Sequence, residues 1–528
     1  MIHLLQVTKG NFAEKHKGWT VRETKKTILI EVGNDYVRDE WGLTVSPPLS
    51  ILSVGSYLAA HDVSTELIDM QMDFGFGLTR KVERVVCQRV AQYLYDQADD
   101  VAWVGISQHS NTAGGVMLAQ EIHNVLPETP IVFGGYFPSS CYQLILEKYP
   151  FVTAIVRGDG EAAALEISQS LAQDRSFLST LTPNLAWREG EKIQANAVQP
   201  MAITELPPPN LRLLRNRTCY QTLSLLTARG CPFACNYCLE DSMRSYAEYP
   251  LDWVAQQLAH LKAELPDKQY IFIADPIFGL NHKRTLELCR LMQDYHYTYS
   301  IESRADVLDA DLVPHLHQAG IEMVYFGMES ASPATLLRMN KVRSEAEAKK
   351  YTEKALHVLE TCFENDLVPF LGFMAAFPGD SEDDCKANVE FVKKAKLIRD
   401  QVTALTGTET PFSPSTWHTH IFAGTPLAER LAVDFPEVGL QPEPFDGEWA
   451  VVSPSPVLDI DTVRRYWEEL DSYADYTPRV TELIGRYFGS SSKLFRETHP
   501  ELTDSQGVTV FCNKVKQWQM EKGFWSSE

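Results

Sequence analysis

The 528-residue sequence has no apolar run approaching the ~20 residues needed to cross a bilayer. It also has no internal repeat and no low-complexity tract, so neither a spanning helix nor a repeat array is expected. Basic residues are few: 48 Lys and Arg face 70 Asp and Glu, for a net charge of −22. A surface of that sign repels phosphate backbones, which argues against a DNA or RNA substrate. No signal-peptide pattern opens the chain, and a chain of this length builds its own core, so its ten cysteines are not read as a disulfide framework. A reducing, cytoplasmic location is the expectation. A second Cys or His pair, of the kind that completes a four-ligand zinc site, is also missing.

The chain does have three cysteines in eight residues, Cys231-Pro-Phe-Ala-Cys235-Asn-Tyr-Cys238. Three thiolates so close together suit one metal centre, and in a four-iron cluster they leave one iron without a protein ligand. That spacing favours an iron–sulfur cluster over zinc. The other seven cysteines, at 87, 141, 219, 289, 362, 385 and 512, are scattered singly among apolar neighbours, as ordinary buried thiols are.

Around the triad the hydrophobic period alternates between strand and helix. A short apolar strand within Leu223–Gly230 ends just before Cys231. A helix over 250–265, a strand over 269–274, a helix over 283–295, a strand over 299–302, a helix over 308–319, and strands over 323–326 and 367–375 follow. About six such units give a parallel sheet wrapped by helices, curved into a partial barrel. The first half carries a second alternation: strands over 27–32, 64–69, 101–107 and 130–134, helices over 49–60, 80–97, 113–125 and 141–148, and a last strand over 153–157. Open sheets of this kind bind ligands beyond the carboxyl ends of their strands. Here those ends are Ser107-Gln108-His-Ser-Asn111-Thr112, Gly134-Gly135-Tyr136 and Gly158-Asp-Gly160-Glu161. Glycines at such ends allow close approach of a large planar ligand.

The C-x3-C-x2-C spacing, with an aromatic before the last cysteine, resembles the signature of the radical S-adenosylmethionine (SAM) superfamily. Asp275-Pro-Ile-Phe, Arg304-Ala-Asp, Gly327-Met-Glu329-Ser and Phe377-Pro-Gly resemble its later strand-end elements. The resemblance implies a 4Fe-4S cluster on Cys231, Cys235 and Cys238, with SAM chelating the open iron. Phe233, Tyr237, Asp275, Glu302, Arg304 and Glu329 are then the SAM-binding candidates, since a zwitterion needs both an anionic and a guanidinium partner. Pro47-Pro48-Leu49, Gly134-Gly135 and Arg157-Gly-Asp-Gly-Glu161 resemble the cobalamin-binding domain fused to one large class of these enzymes. Ser107, Gln108, Asn111, Thr112, Gly134, Gly135, Tyr136, Gly158, Gly160 and Glu161 become the cobalamin-binding candidates. Two features depart from the related patterns: Tyr136 and Phe137 stand where a histidine often follows the glycine pair, and Asp69-Met-Gln71 lacks the histidine of D-x-H-x-x-G. Cobalamin is therefore expected without a lower histidine ligand.

The fold class implied is α/β: an N-terminal Rossmann-like cobalamin-binding domain over 1–205, a partial (β/α)6 TIM-like radical SAM barrel over 206–427, and a small, mostly helical C-terminal domain over 428–528. Leu206-Pro-Pro-Pro209 reads as a stiff linker, and Phe412-Ser-Pro-Ser415 as a second break. The aromatic-rich tail shows helical spacing over 463–473 and 480–488 and is a possible substrate lid. The resemblance implies a cobalamin-dependent radical SAM methyltransferase acting on an unactivated carbon of a small-molecule or lipid-like substrate, supplied with electrons by a flavodoxin or ferredoxin. A non-methylating enzyme that cyclises or rearranges a metabolite would carry the same motifs. A methylthiotransferase would need a second three-cysteine set, which is missing, and no catalytic acid or base is assigned.

Overall fold

The computed structural model describes residues 25–32, 46–74, 80–108, 113–220, 222–239, 245–419, 421–434, 458–475 and 477–487. In the first half the elements run β1 (Lys26–Glu31), α1 (Leu49–Ala60), β2 (Thr65–Asp69), α2 (Met70–Phe74), α3 (Arg80–Tyr95), β3 (Val101–Ser107), α4 (Ala113–Val125), β4 (Ile131–Gly134), α5 (Tyr136–Ser140), α6 (Tyr142–Lys148), β5 (Ala154–Val156), α7 (Glu161–Ala172), β6 (Leu185–Glu189) and β7 (Lys192–Ala195). They form one seven-stranded sheet in the order β2-β1-β3-β4-β5-β6-β7. The first five strands are parallel, and the chain reverses its direction of travel across the sheet between β1 and β3. A crevice opens beyond the carboxyl ends at such a switch point, here at Glu31 and Ser107. The strand at β5 is not the last: β6 and β7 add an antiparallel edge, turned at Gly190 with φ +64°. The sequence reading missed this hairpin because β7 is only four residues long and has no fully buried residue, although Ile193 packs against the core.

The second half begins with β8 (Leu223–Leu225), β9 (Ala228–Arg229), β10 (Ala247–Glu248), α8 (Leu251–Glu264), β11 (Tyr270–Ile273), α9 (His282–Gln293), β12 (Thr298–Ser303), α10 (Val313–Gln318), β13 (Ile321–Glu329) and α11 (Pro333–Arg338). It continues with α12 (Glu345–Glu364), β14 (Val368–Ala375), α13 (Glu382–Thr406), β15 (Ser413–His418), α14 (Pro426–Asp434), α15 (Ile460–Asp471) and α16 (Pro478–Tyr487). Six strands, β8-β11-β12-β13-β14-β15, pair in parallel as the partial barrel. The segment at 412–415 expected to be a break is instead the start of β15. Pro414 is tolerated there because β15 is an edge strand, where a missing N–H costs no ladder bond.

Alternation along the barrel strands divides two environments. Ile271, Ile273, Tyr299, Ile301, Val324, Phe326, Leu371 and Phe373 are buried in the layer packed under the helices. The opposite face carries Tyr270, Phe272, Met323, Tyr325 and Phe370, joined there by Val480 and Leu483 of α16. By register, Ser300 and Glu302 share this inner face. The linker is held where Trp253 Nε1 donates to Leu206 O at 2.8 Å. Further bonds tie the two sheets: Tyr220 Oη to Asp69 Oδ2 at 2.7 Å, Asn210 N to Ser56 Oγ at 2.8 Å and Ser140 Oγ to Ala423 O at 2.9 Å.

Candidate active site

The loop bearing the three cysteines is clamped at its base. Beyond β8, the Asp275 carboxylate accepts from Thr227 N at 2.7 Å and Ala228 N at 2.9 Å on one oxygen, and from the Thr227 hydroxyl on the other. Arg284 Nη2 donates to Thr227 O at 2.7 Å from the other side. Gly230 follows at φ +77°, where a Cβ would stand 1.8 Å from Ser245 O, so the chain can turn into the loop here only without a side chain. Within the loop Cys238 N donates to Cys235 O at 3.1 Å. The turn after α11 supports it: Asn236 N donates to Met339 O at 3.1 Å, Asn236 Nδ2 to Arg338 O at 2.7 Å, and Asn340 Nδ2 to Ala234 O at 2.6 Å. Leu427 N reaches Asn236 O at 2.9 Å from the start of α14.

Cys231, Cys235 and Cys238 are all partly accessible, whereas Cys87, Cys141, Cys289, Cys362 and Cys385 are buried. Burial pushes the Cys289 and Cys385 thiols up to about 12 and those of Cys141 and Cys362 higher still, which keeps them protonated and inert. Among the described residues Cys219 is exposed but stands alone, so the loop is where grouped, reachable thiols occur, and this soft donor set fits a thiolate-ligated iron–sulfur cluster.

The strand-end residues divide into two groups. Arg304 sits against the loop, its guanidinium 3.9 Å from the Phe233 ring centroid and Nη1 3.5 Å from Cys235 Sγ. It is also forked onto Asp306 at 2.9 and 3.0 Å and bonded to Lys341 O at 2.8 Å. Most of its donors are thus committed within the protein, so it orders the cluster loop rather than standing free for a carboxylate. Asp275 is only 2% exposed and engaged by 227–228, so it shapes the base of the loop. Glu302 is different, since no hydrogen bond or ion pair reaches its carboxylate among the described residues. Burial and the nearby charge of Glu329 push it up to about 7. Glu329, at φ +61°, lies 3.4 Å from Lys341 Nζ. Tyr237 packs edge-on against Phe377 at 6.2 Å, and its phenol is held protonated by burial and then by Glu329, Cys235 and Cys238.

In the crevice, Ser107 and Gln108 end β3, and Gly134 and Gly135 end β4. Gln108 N donates to Gly134 O at 2.9 Å. Gly135 has φ +100°, and a Cβ there would meet Gln108 O at 2.2 Å. The Gln108 side chain is fully buried, yet both its amide atoms lack partners among the described residues. The orphaned amide lies against Gly115 of α4, where a Cβ would stand 1.3 Å from Nε2, while the bare backbone at Gly134 and Gly135 suits the close approach of a planar ligand such as a corrin. Gly158, at φ +81°, donates its N–H to Ser139 Oγ at 3.0 Å. Gly160 caps α7, and Tyr136 opens α5. Asn111 and Thr112 lie outside the described residues.

Glu161 is 2% exposed, and its Oε1 accepts from Ser53 Oγ at 2.6 Å and Arg229 Nη2 at 2.9 Å, while Oε2 has no partner among the described residues. Arg229 and Asp159, paired at 3.1 Å between the two loops, were not singled out, although a charged Arg next to the cluster loop called for a buried partner. Glu31 was missed too. It ends β1 beside Ser107 and, pushed up to about 7 chiefly by burial, accepts a 2.6 Å bond from Ser50.

These two sites have recognisable relatives. The radical SAM superfamily model matches residues 225–392, and the B12-binding domain model matches residues 43–168. The chain is thus a radical SAM enzyme. More particularly, its joined B12-binding domain makes it a member of the cobalamin-dependent radical SAM enzymes, whose cofactors are a 4Fe-4S cluster, SAM and cobalamin. An uncharacterised methyltransferase of Pyrococcus horikoshii is 26% identical over 376 residues, covering 69% of this chain and 76% of that protein. An anaerobic magnesium-protoporphyrin IX monomethyl ester cyclase of Synechocystis is 29% identical over 56% of this chain and 59% of its own length. The solved cobalamin-dependent SAM radical enzyme OxsB, with aqua-cobalamin and SAM bound, matches the fold over 95% of this chain and 72% of its own, with TM-score 0.67 and 17% identity. No described helix is long and apolar enough to cross a membrane.

Proposed function

We propose that this chain is a C-methyltransferase acting on an unactivated carbon of a small-molecule or lipid-like substrate, in the cytoplasm and with a reduced flavodoxin or ferredoxin as electron source. One observation carries the reading: a thiolate loop and a corrin crevice belong to one body and share a direct contact between their loops, Arg229 to Glu161 at 2.9 Å. The methyltransferase relative supports the same outcome. When bound, the cluster and SAM supply hydrogen-atom abstraction, and cobalamin supplies a transferable methyl group.

The chain's own residues hold and shield these groups. Cys231, Cys235 and Cys238 are the ligands, and Arg304 lies within 3.5 Å of Cys235 Sγ, where its charge offsets thiolate charge. Tyr237 and Phe377 form an aromatic wall beside the loop, a surface suited to an adenine face. Glu302 and Glu329 remain as the SAM-facing carboxylates. Gln108, Gly134 and Gly135 line the crevice, where backbone and amide dipoles meet a planar ligand. The helices α15 and α16 belong to the third segment, and α16 closes part of the inner barrel face, which excludes water from that side.

The cyclase relative favours a second reading, ring closure without methyl gain. Both are tested by incubating the anaerobically reconstituted enzyme with SAM carrying a labelled methyl group and a metabolite extract from a strain lacking the gene. A product one CH2 heavier that retains the label supports methylation. A product formed without label supports cyclisation and overturns the proposal.

A further inference from the structure

We propose that Arg229 is a positioning residue that sets the corrin crevice at its working distance and angle from the cluster loop, through Asp159 and Glu161. This rests on the reading of the chain as a cobalamin-dependent radical SAM enzyme. Arg229 stands two residues before Cys231, and Asp159 and Glu161 flank Gly160 in the third crevice loop. Its Nη1 donates to Asp159 Oδ1 at 3.1 Å, and its Nη2 to Glu161 Oε1 at 2.9 Å and to Ser53 Oγ of α1 at 3.0 Å. One planar guanidinium therefore reaches three groups of the other sheet's domain.

Both ends of this bridge are rigid. On the barrel side, β9 pairs with β10, Asp275 holds 227–228, and Gly230 turns under Ser245. On the crevice side, Glu161 opens α7, Asp159 accepts from Met201 N at 2.7 Å, and Asn184 Nδ2 donates to Asp159 O at 3.0 Å. Burial alone would raise Glu161, but the Arg229 charge and hydrogen bonds overcome it and leave the carboxyl below its usual range.

Buried ion pairs of this kind add little net stability over apolar packing, yet they fix geometry because any misalignment leaves a bare charge. The other bonds between the two sheets, at Tyr220, Asn210 and Ser140, already hold the halves together away from this point. Among the described residues the Arg229 fork is a charged contact that joins the two cofactor loops directly, beside the packing of Leu239 against the first sheet's core. Lys at this position would keep the charge but lose the planar fork, so registry would slacken without a loss of charge balance.

The test uses holoenzyme reconstituted with cluster and hydroxocobalamin, comparing wild type with Arg229→Gln, Arg229→Lys and Glu161→Gln. Two outputs are read from SAM alone. One is reductive cleavage to deoxyadenosine under dithionite, which needs only the cluster site. The other is methyl transfer to cobalamin under titanium(III) citrate, in which the cobalt takes the SAM methyl group and S-adenosylhomocysteine leaves. In Arg229→Gln, iron and cobalamin contents should match wild type and deoxyadenosine formation should stay within about twofold. Methyl transfer should fall on the order of a hundredfold, the loss that a ~1 Å misplacement brings. Arg229→Lys should recover part of it. Parallel losses in both outputs, or no loss, would overturn the proposal. A second readout needs no turnover: the reduced cluster should speed spin relaxation of cob(II)alamin less in Arg229→Gln than in wild type, and equal relaxation overturns the proposal. If the wild type transfers no methyl group to cobalamin, the methyltransferase reading fails by itself, and the relaxation comparison still decides the role of Arg229.

Discussion

Asp275 separates a loop-shaping role from a SAM contact, because the two make opposite predictions for two substitutions. Both backbone N–H groups, Thr227 at 2.7 Å and Ala228 at 2.9 Å, end on the same carboxylate oxygen, and the Thr227 hydroxyl takes the other. Asp275→Ala would strand two buried backbone donors, each costing about 1–3 kcal/mol, for a destabilisation of about 2–6 kcal/mol. Asp275→Asn keeps an oxygen for both donors, and the Thr227 hydroxyl can rotate to accept from the new amide. That change should cost only about 1 kcal/mol. Urea unfolding of the apo chain, together with iron retention after reconstitution, measures both. The expected result is a large loss of stability and of bound iron in Asp275→Ala, near-normal behaviour in Asp275→Asn, and an unchanged SAM affinity in the latter. If Asp275→Asn instead weakens SAM binding tenfold at normal stability, the carboxylate charge is acting on SAM and the loop-shaping account is wrong.

Gly135→Ala should weaken cobalamin binding, since φ +100° and a Cβ placed 2.2 Å from Gln108 O force the β4 end to move. A shift costing about 2 kcal/mol lowers affinity about thirtyfold, readable by absorbance titration, and unchanged affinity would refute the role given to this turn. Glu302, raised from 4.5 to about 7 by burial and by Glu329, is protonated more readily in the folded chain than in the unfolded one. Its contribution to apo stability is therefore complete below pH 4.5 and lost as pH rises through about 7. Glu302→Gln, which mimics the protonated form, should flatten that part of the pH profile of the urea midpoint, and parallel profiles would contradict the assignment.

Much of the architecture was legible because hydrophobic period and strand-end motifs coincide in both sheets. The helices at 49–60 and 113–125 and the strand at 101–107 are found at the residues their patterns predict. The hairpin β6–β7 was not legible, since strands of five and four residues are too short for a periodic trace to stand out. Pro414 was misleading for a related reason: proline signals a break unless the strand lies at a sheet edge, and edge position is a property of the assembled sheet. Cysteine spacing singled out a loop whose three thiols are partly accessible in the structure, because such spacing is local. Asp275 and Glu161 find Thr227 and Arg229 at separations of 48 and 68 residues, and Arg304, besides its near neighbour Asp306, reaches Cys235 69 residues away. A strand-end charge therefore could not be sorted into ligand contact or loop support before folding placed its neighbours.

The account's central claim is that one chain carries a thiolate cluster for SAM cleavage and a separate corrin crevice. Its most direct test is Cys235→Ala, reconstituted anaerobically with iron, sulfide and hydroxocobalamin and assayed with SAM and dithionite. Deoxyadenosine formation should disappear while the cobalamin absorbance remains with the protein. Deoxyadenosine formed at the wild-type rate, or cobalamin lost together with the cluster, would contradict it.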